Sequence, residues 1–155
     1  MKWAPNQPIV STITPRLSVH DYLTDLAFDF KVGDLVLEDG DLKTVSGLEN
    51  FIQKVQKFIL TPKTPRWPYG FDHRIFEATT EDFFQVEAES LARQLVSQVL
   101  EGYPPGSING LGHTIEAIYS IENFVKDEKT YLQIEMKVTG LNDILKVTIP
   151  YPKSD

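Results

Sequence analysis

The chain has no cysteine among its 155 residues. That excludes a disulfide framework, thiol catalysis and every cysteine-based metal site. Long apolar runs are missing as well. No stretch approaches the length of a membrane span, and the opening MKWAPNQPIVSTITPR holds no apolar core of leader-peptide length. Positive charge is in short supply: 15 Lys and Arg stand against 22 Asp and Glu, for a formal net charge of −7. A general nucleic-acid binder is thereby disfavoured, because phosphate binding needs a basic face. Histidine is scarce too. His20, His73 and His113 include no pair at metal-ligand spacing. What is present is apolar content of 41%, enough for one real core and too much for disorder.

The first 22 residues carry Pro5, Pro8 and Pro15 and read as an extended N-terminal arm rather than a packed element. Its apolar handles, Trp3, Ile9, Val10 and Ile13, leave two readings, a partly disordered terminus or an arm docked on a neighbouring subunit, and residues 23–155 are expected to form a single α+β domain. From Leu23 the pattern turns strand-like. Leu26, Phe28 and Phe30 alternate with Asp25, Ala27 and Asp29, Gly33-Asp34 turns, Leu35–Leu37 forms a second strand, and Asp39-Gly40 signals a tight hairpin. The aspartates of this region lack the spaced ligand set, ending in Glu, of a calcium loop; turn and solvated-face roles explain them better.

Ser46 and Glu49 have capping-box spacing. Leu48, Phe51, Ile52, Val55, Phe58 and Ile59 then fall on one helical stripe, with Gln53, Lys54, Gln56 and Lys57 opposite. Pro62 stops this helix and drives Thr61 out of the α region. HRIFE is expected to be short and extended, with Ile75 and Phe76 as core. Thr79 or Thr80 caps a second helix striped by Phe84, Ala88, Leu91, Ala92, Leu95 and Val99 and ended by Gly102. After the loop GYPPGSINGLG, alternation through Ile115, Ala117, Tyr119 and Ile121, through Leu132 to Val138, and through Leu145, Val147 and Ile149 predicts three antiparallel strands. Turns fall at Asp127–Lys129 and Gly140–Asp143. The fold expected is α+β: an N-terminal β-hairpin, two helices on one face of a mostly antiparallel sheet, and a C-terminal β-meander.

Catalytic candidates are few. Glu77, Glu81, Asp82 and Glu87 sit at or near the start of the second helix, where the dipole lowers a carboxyl pKa, the wrong direction for a general acid. His73 beside Asp72 reads as a loop residue with a local hydrogen bond rather than an acid–base pair. Ser107 lacks a nucleophile motif, and its loop has no phosphate-cradle signature. No catalytic, metal or cofactor residue is assigned. Arg66 between Pro65 and Trp67 is the notable charge. It either clamps its loop to acids of the second helix or contacts a partner. Trp67 and Tyr69 are lids over the core or interface anchors.

Ile52, Gln53, Val55, Phe58, Ile59, Leu60 and Thr61, followed by Arg66, Tyr69 and Gly70, carry a resemblance to the small wedge proteins of contractile phage baseplates, the gene-25-like or "tail lysozyme-like" family. DLAFDFKVGDLVLEDGDLKTVSG resembles the opening of the branch found in Gram-positive phages and phage-like bacteriocins, and the likeness spans about Asp25 to Leu100. The acid–Pro–Arg triplet common after the second helix in that family is absent; GYPPGSINGLG stands there. The resemblance implies a structural component of a tail or injection-system baseplate, assembled in the bacterial cytoplasm. It joins larger wedge proteins to the tube and hub and initiates the sheath by β-strand exchange. Its setting is a rotationally symmetric hetero-oligomer, without nucleic acid, membrane or cofactor. Candidate contact residues are Thr61, Arg66, Trp67, Tyr69 and Gly70 in the helix–loop, Ile9, Val10 and Ile13 in the arm, and Ile144, Lys146 and Thr148 on the last strand. The family's other label supplies the alternative, a peptidoglycan-degrading tail lysozyme. A third reading is a stand-alone binding domain that shares only the helix–loop pattern.

Overall fold

The computed structural model describes residues 1–12, 25–61, 71–97 and 115–152. In chain order they form β1 (Lys2–Trp3), β2 (Ile9–Val10), six two-residue strands β3 (Asp25–Leu26), β4 (Phe28–Asp29), β5 (Asp34–Leu35), β6 (Leu37–Glu38), β7 (Asp41–Leu42) and β8 (Thr44–Val45), helix α1 (Gly47–Leu60), a 3-10 turn (Ile75–Glu77), helix α2 (Glu81–Ser97), and the long strands β9 (Ile115–Lys126), β10 (Lys129–Val138) and β11 (Leu145–Pro150). The fold is α+β, and β9, β10 and β11 make the predicted C-terminal meander.

α1 buries Phe51, Val55, Phe58 and Ile59, with Leu48 and Ile52 half-buried beside them, as the stripe predicts. Its C-cap Thr61 is extended (φ −98°, ψ 112°), the conformation that a following proline imposes. The capping box does not form. Ser46 is the N-cap but makes no side-chain capping bond. The chain enters the helix through Gly47 at φ +57°, a left-handed step open to glycine that removes the Ser46 hydroxyl from capping geometry. Thr80 does cap α2, its Oγ1 accepting the Phe83 N–H at 3.3 Å. α2 buries Phe84, Ala88, Leu91, Ala92, Leu95 and Val96; Val99 and Gly102 lie outside the described residues. HRIFE is not extended: Ile75–Glu77 is a 3-10 turn, which still buries Ile75 and half-buries Phe76.

Both helices pack on the sheet face carrying Leu132, Ile134, Met136, Val138, Val147 and Ile149, and all share one core. The sheet runs β1/β2, β9, β10, β11, all antiparallel. Residues 1–12 are extended as predicted, but they pack. Trp3 is only 8% exposed and pairs with Ile121, while Ile9 pairs with Ile118. The apolar handles of that segment explain this: the core of the same chain takes up Trp3 and Ile9.

β9 departs from simple alternation. Ser120 faces Glu135 while Ile118 faces Met136, and Ala117 faces Lys137 while Ile115 faces Val138. Tyr119 and Glu116 are therefore extra residues in the ladder, two β-bulges that re-phase the strand. Its core side reads Ile121, Ile118 and Ile115, all fully buried, and Tyr119, expected inside, is half-buried. The β9–β10 connection is a two-residue turn with both Asp127 (φ +52°) and Glu128 (φ +66°) left-handed, the mirror-image geometry that suits strand twist.

The hairpins expected at Gly33-Asp34 and Asp39-Gly40 both form, and a third ribbon joins them, the three meeting at a point. β3 pairs with β8, β4 with β5, and β6 with β7. At the junction the Ala27 N–H donates to the Lys43 carbonyl (2.8 Å), Val36 to Ala27 (3.0 Å) and Lys43 to Val36 (2.9 Å). These three bonds close a ring, so each junction residue serves two ribbons. Two ribbons end in turns. Asp39 (φ +52°) and Gly40 (φ +86°) make the predicted tight turn. In the other, Asp29 Oδ1 accepts the Lys31 N–H at 2.9 Å, an Asx turn that gives the aspartate a backbone role. Phe28 and Leu26, expected to face the core, are 37% and 40% exposed, whereas Ala27 between them is 5% exposed. The alternation is real, and the small residue is the one turned inward.

Candidate functional site

The proposed contact residues separate into distinct places. Ile9 and Val10 lie against β9 and Ile144, Lys146 and Thr148 on or just before β11, on opposite sides of the sheet. Thr61 closes α1, its Oγ1 donating to the Lys57 carbonyl at 2.7 Å and its own carbonyl accepting the Phe71 N–H at 3.3 Å. Ile13, Arg66, Trp67, Tyr69 and Gly70 lie outside the described residues, as does any Arg66 clamp to α2. The loop's far end is anchored by Phe71, 1% exposed, with its ring 5.9 Å from that of Phe58.

The two sheet margins differ in what they offer. The β9 side is taken by β1 and β2 of the same chain. Val10 is 64% exposed there, whereas Ser11 fastens the segment by donating its N–H to the Glu116 carbonyl (2.9 Å) and its hydroxyl to the Val96 carbonyl (2.8 Å). On the other side β11 pairs with β10 only, among the described residues. The Thr148 carbonyl accepts from Gln56 Nε2 of α1 at 2.7 Å, so it points away from β10. Backbone groups alternate sides along an antiparallel strand; Lys146 and Thr148 therefore turn their N–H and C=O to the open margin, while Leu145, Val147 and Ile149 serve the ladder. Pro150 has no N–H and ends that margin. The Lys146 ammonium lies 3.8 Å from Glu135 across the strand pair, and Ile144 is 52% exposed.

Above this margin stands the three-ribbon module, which Gln53 ties to α1. Gln53 Oε1 accepts the Phe28 N–H (2.8 Å) and its Nε2 donates to the Leu26 carbonyl (2.7 Å). Between module and sheet runs a groove of about 630 Å³ whose lining includes Lys31, Lys43, Gln56, Tyr131 and Thr148. Lys31 Nζ sits 5.5 Å from the Tyr131 ring centre, and Tyr131 stacks on Phe124 at 5.4 Å. Sequence reading assigned Gln53 and Gln56 only to the helix face opposite the stripe. Two amides three residues apart, flanking an apolar stripe, were the available signal, since such spacing places both on one side of a helix.

Three of the four acids considered for hydrolysis have other partners. Glu77 pairs with Arg74 at 2.6 Å, Glu87 accepts the Arg74 N–H at 3.0 Å, and Glu81 accepts the Lys2 N–H at 3.1 Å. The loop before α2 is thus tied to that helix by Arg74. His73 does make local bonds. Its Nε2 lies 2.8 Å from the Ile59 carbonyl and its Nδ1 takes the Ile75 N–H at 3.3 Å, so the neutral ring protonated on Nε2 satisfies both. Burial lowers the His73 pKa, opposed by the Ile59 bond and the charges of Glu87 and Asp72.

A histidine held neutral in the fold but free to protonate when unfolded gives stability that is present above the unfolded pKa, about 6.5, and is lost as pH falls through the folded value. Urea midpoints of wild type are expected to drop between roughly pH 7.5 and pH 5 by more than those of His73→Gln, which cannot titrate. Equal slopes in the two proteins would remove His73 as the cause.

No protein-family model, no curated protein and no solved structure matches the chain.

Proposed function

We propose that the chain is a structural wedge component of a contractile-tail or injection-system baseplate. In this reading it links larger wedge proteins to the tube and hub and starts the sheath by accepting a strand. The observation that carries the reading is the β11 margin. Lys146 and Thr148 turn their backbone groups outward there, and the opposite side of the sheet is already filled by the chain's own β1 and β2. An extended segment added to β11 would replace the Gln56 amide at the Thr148 carbonyl and gain main-chain bonds, the usual basis of β-augmentation. The motif from Ile52 to Thr61 with Arg66, Tyr69 and Gly70 supplies the baseplate context. A binding surface also suits carboxylates that are engaged with Arg74 and Lys2 better than a pair poised for hydrolysis does.

The test has two arms. Quantitative mass spectrometry of contractile particles from the source strain is expected to find the chain at a fixed ratio to sheath and wedge proteins, retained on baseplates stripped of sheath. Lys146→Pro deletes an outward N–H and leaves the bonds to β10, a change that edge strands tolerate. That variant is expected to fold yet support no sheathed particles. Sheathed particles at the wild-type level would defeat the edge reading. Absence of the chain from particles would defeat the wedge reading, and cell-wall zymography would then decide for the hydrolase.

A further inference from the structure

The groove beneath the three-ribbon module reverses the charge of the chain. Lys31, Lys43 and Lys126 line it against Asp29 and Asp127, three cations to two anions on a chain with a net charge of −7. The lysines come from three separate places: the turn after β4, the module junction and the end of β9. None of the three is in an ion pair among the described residues. Asp29 is already engaged, its Oδ1 accepting the Lys31 and Val32 N–H groups at 2.9 and 3.4 Å. The Lys31 ammonium lies over the Tyr131 ring, an attraction that keeps the charge on the groove side.

The same groove reaches the open margin of β11, since Thr148 and Pro150 line it too. Pro150 pairs with Tyr131, and Tyr131 with Phe124. Alternation therefore sets Thr148, Tyr131, Phe124 and Lys126 on one sheet face, opposite Val147 and Ile149. Directly paired residues send their side chains to the same face. In a strand added at the margin, the residue opposite Thr148 and those two places away turn to the groove side, and the residues between turn to the helix side. We propose that the strand accepted by β11 is an acidic segment of a partner protein, with Asp or Glu at alternate positions facing Lys31, Lys43 and Lys126. The inference rests on the reading of β11 as a strand acceptor and not on the baseplate setting. A peptide strand uses the lysines together with the margin N–H and C=O groups, whereas a phosphate chain has no donor for the Thr148 carbonyl. A second β11 is a poor occupant, because Leu145–Pro150 brings Lys146 and no acid.

The full chain is titrated with three short labelled peptides, alternating Thr-Glu, Thr-Gln and Thr-Lys repeats, by fluorescence anisotropy with amide chemical shifts followed in parallel. The Thr-Glu peptide is expected to bind about fivefold or more tighter than the Thr-Gln peptide, with an affinity that falls with salt, and the Thr-Lys peptide weakest. Shifts are expected to gather on residues 145–150 and on the groove lining. Lys31→Gln with Lys126→Gln is expected to bring Thr-Glu binding down to the Thr-Gln level and to flatten its salt dependence. Lys146→Pro is expected to weaken all the peptides, since it removes a margin N–H that each would use. Equal binding of the three peptides at β11, still sensitive to Lys146→Pro, overturns the acidic partner and leaves the strand-accepting margin standing. Shifts centred elsewhere, or no binding of any peptide, overturn both. Indifference of Thr-Glu binding to the lysine double variant overturns the proposal. So does tighter binding of a short oligothymidylate at the groove, which would assign the lysines to phosphate, and so does self-association in sedimentation velocity that Lys146→Pro abolishes, which would assign the margin to a second copy.

Discussion

Ile118→Ala is expected to destabilise the protein by about 2–5 kcal/mol, whereas Tyr119→Ala costs roughly 1 kcal/mol. The asymmetry follows from the bulge. Simple alternation from Ile115 to Ile121 places Tyr119 in the core and Ile118 outside. The ladder instead pairs Ile118 with Met136 and leaves Tyr119 as the extra residue. Ile118 is fully buried in the core shared with α2, so truncation leaves a cavity that rigid neighbours cannot fill. Equilibrium urea unfolding of the two variants decides the register. A larger loss for Tyr119→Ala would restore the unbulged strand.

Trp3→Ala is expected to cost about 3–5 kcal/mol, a large part of the stability of an ordinary domain. A tryptophan in a loose arm would cost almost nothing. Trp3 is 8% exposed, packed in the core and paired with Ile121 on β9. The Lys2 N–H beside it holds Glu81 at the start of α2. Its removal is therefore expected to lower the urea midpoint of the whole unfolding transition, not only to loosen the first strand. An unchanged midpoint would mean that residues 1–12 dock without contributing to the core.

Local chemistry was readable where one residue decides the outcome. Pro62 stops α1 and Thr61 is extended. Thr80 caps α2. Asp39-Gly40 turns tightly, with both residues left-handed. The α1 stripe and the core side of β10 were equally plain, because a regular period needs no knowledge of the partner. What escaped was whatever depends on the neighbouring strand. A bulge inserts one residue without any compositional mark, so Glu116 and Tyr119 looked like ordinary members of β9. The three-way junction escaped for a related reason: a strand that changes partner at Ala27 keeps its alternation, so the pairing of β3 with β8 leaves no mark in the sequence. Small size at the inward position was the missed clue. Of the candidate site, alternation separates Lys146 and Thr148 from the core-side Leu145, Val147 and Ile149 in the sequence, but which margin of β11 lacks a partner strand depends on the neighbouring strands. Gln53 and Gln56 were passed over because an amide on a helix flank reads the same whether it meets water or a neighbouring backbone.

The ring of bonds through Ala27, Val36 and Lys43 also sets what can vary over evolution or by engineering. Of its three legs, one carries the chain in at Asp25 and out at Val45, and the other two are closed by the turns at 30–33 and 39–40. The first is a stalk, fixed in length by its attachment to α1 through Gln53. The leg closed at 30–33 rests on the sheet, with Lys31 over Tyr131, whereas the tip at 39–40 is exposed. Adding residues in opposed pairs beyond Glu38 and Asp41 lengthens that leg while the junction and the stalk stay as they are. Loop tips of this kind are where insertions are tolerated. The module is thus a mount with one interchangeable arm, on which reach and specificity can change while the body beneath keeps its core.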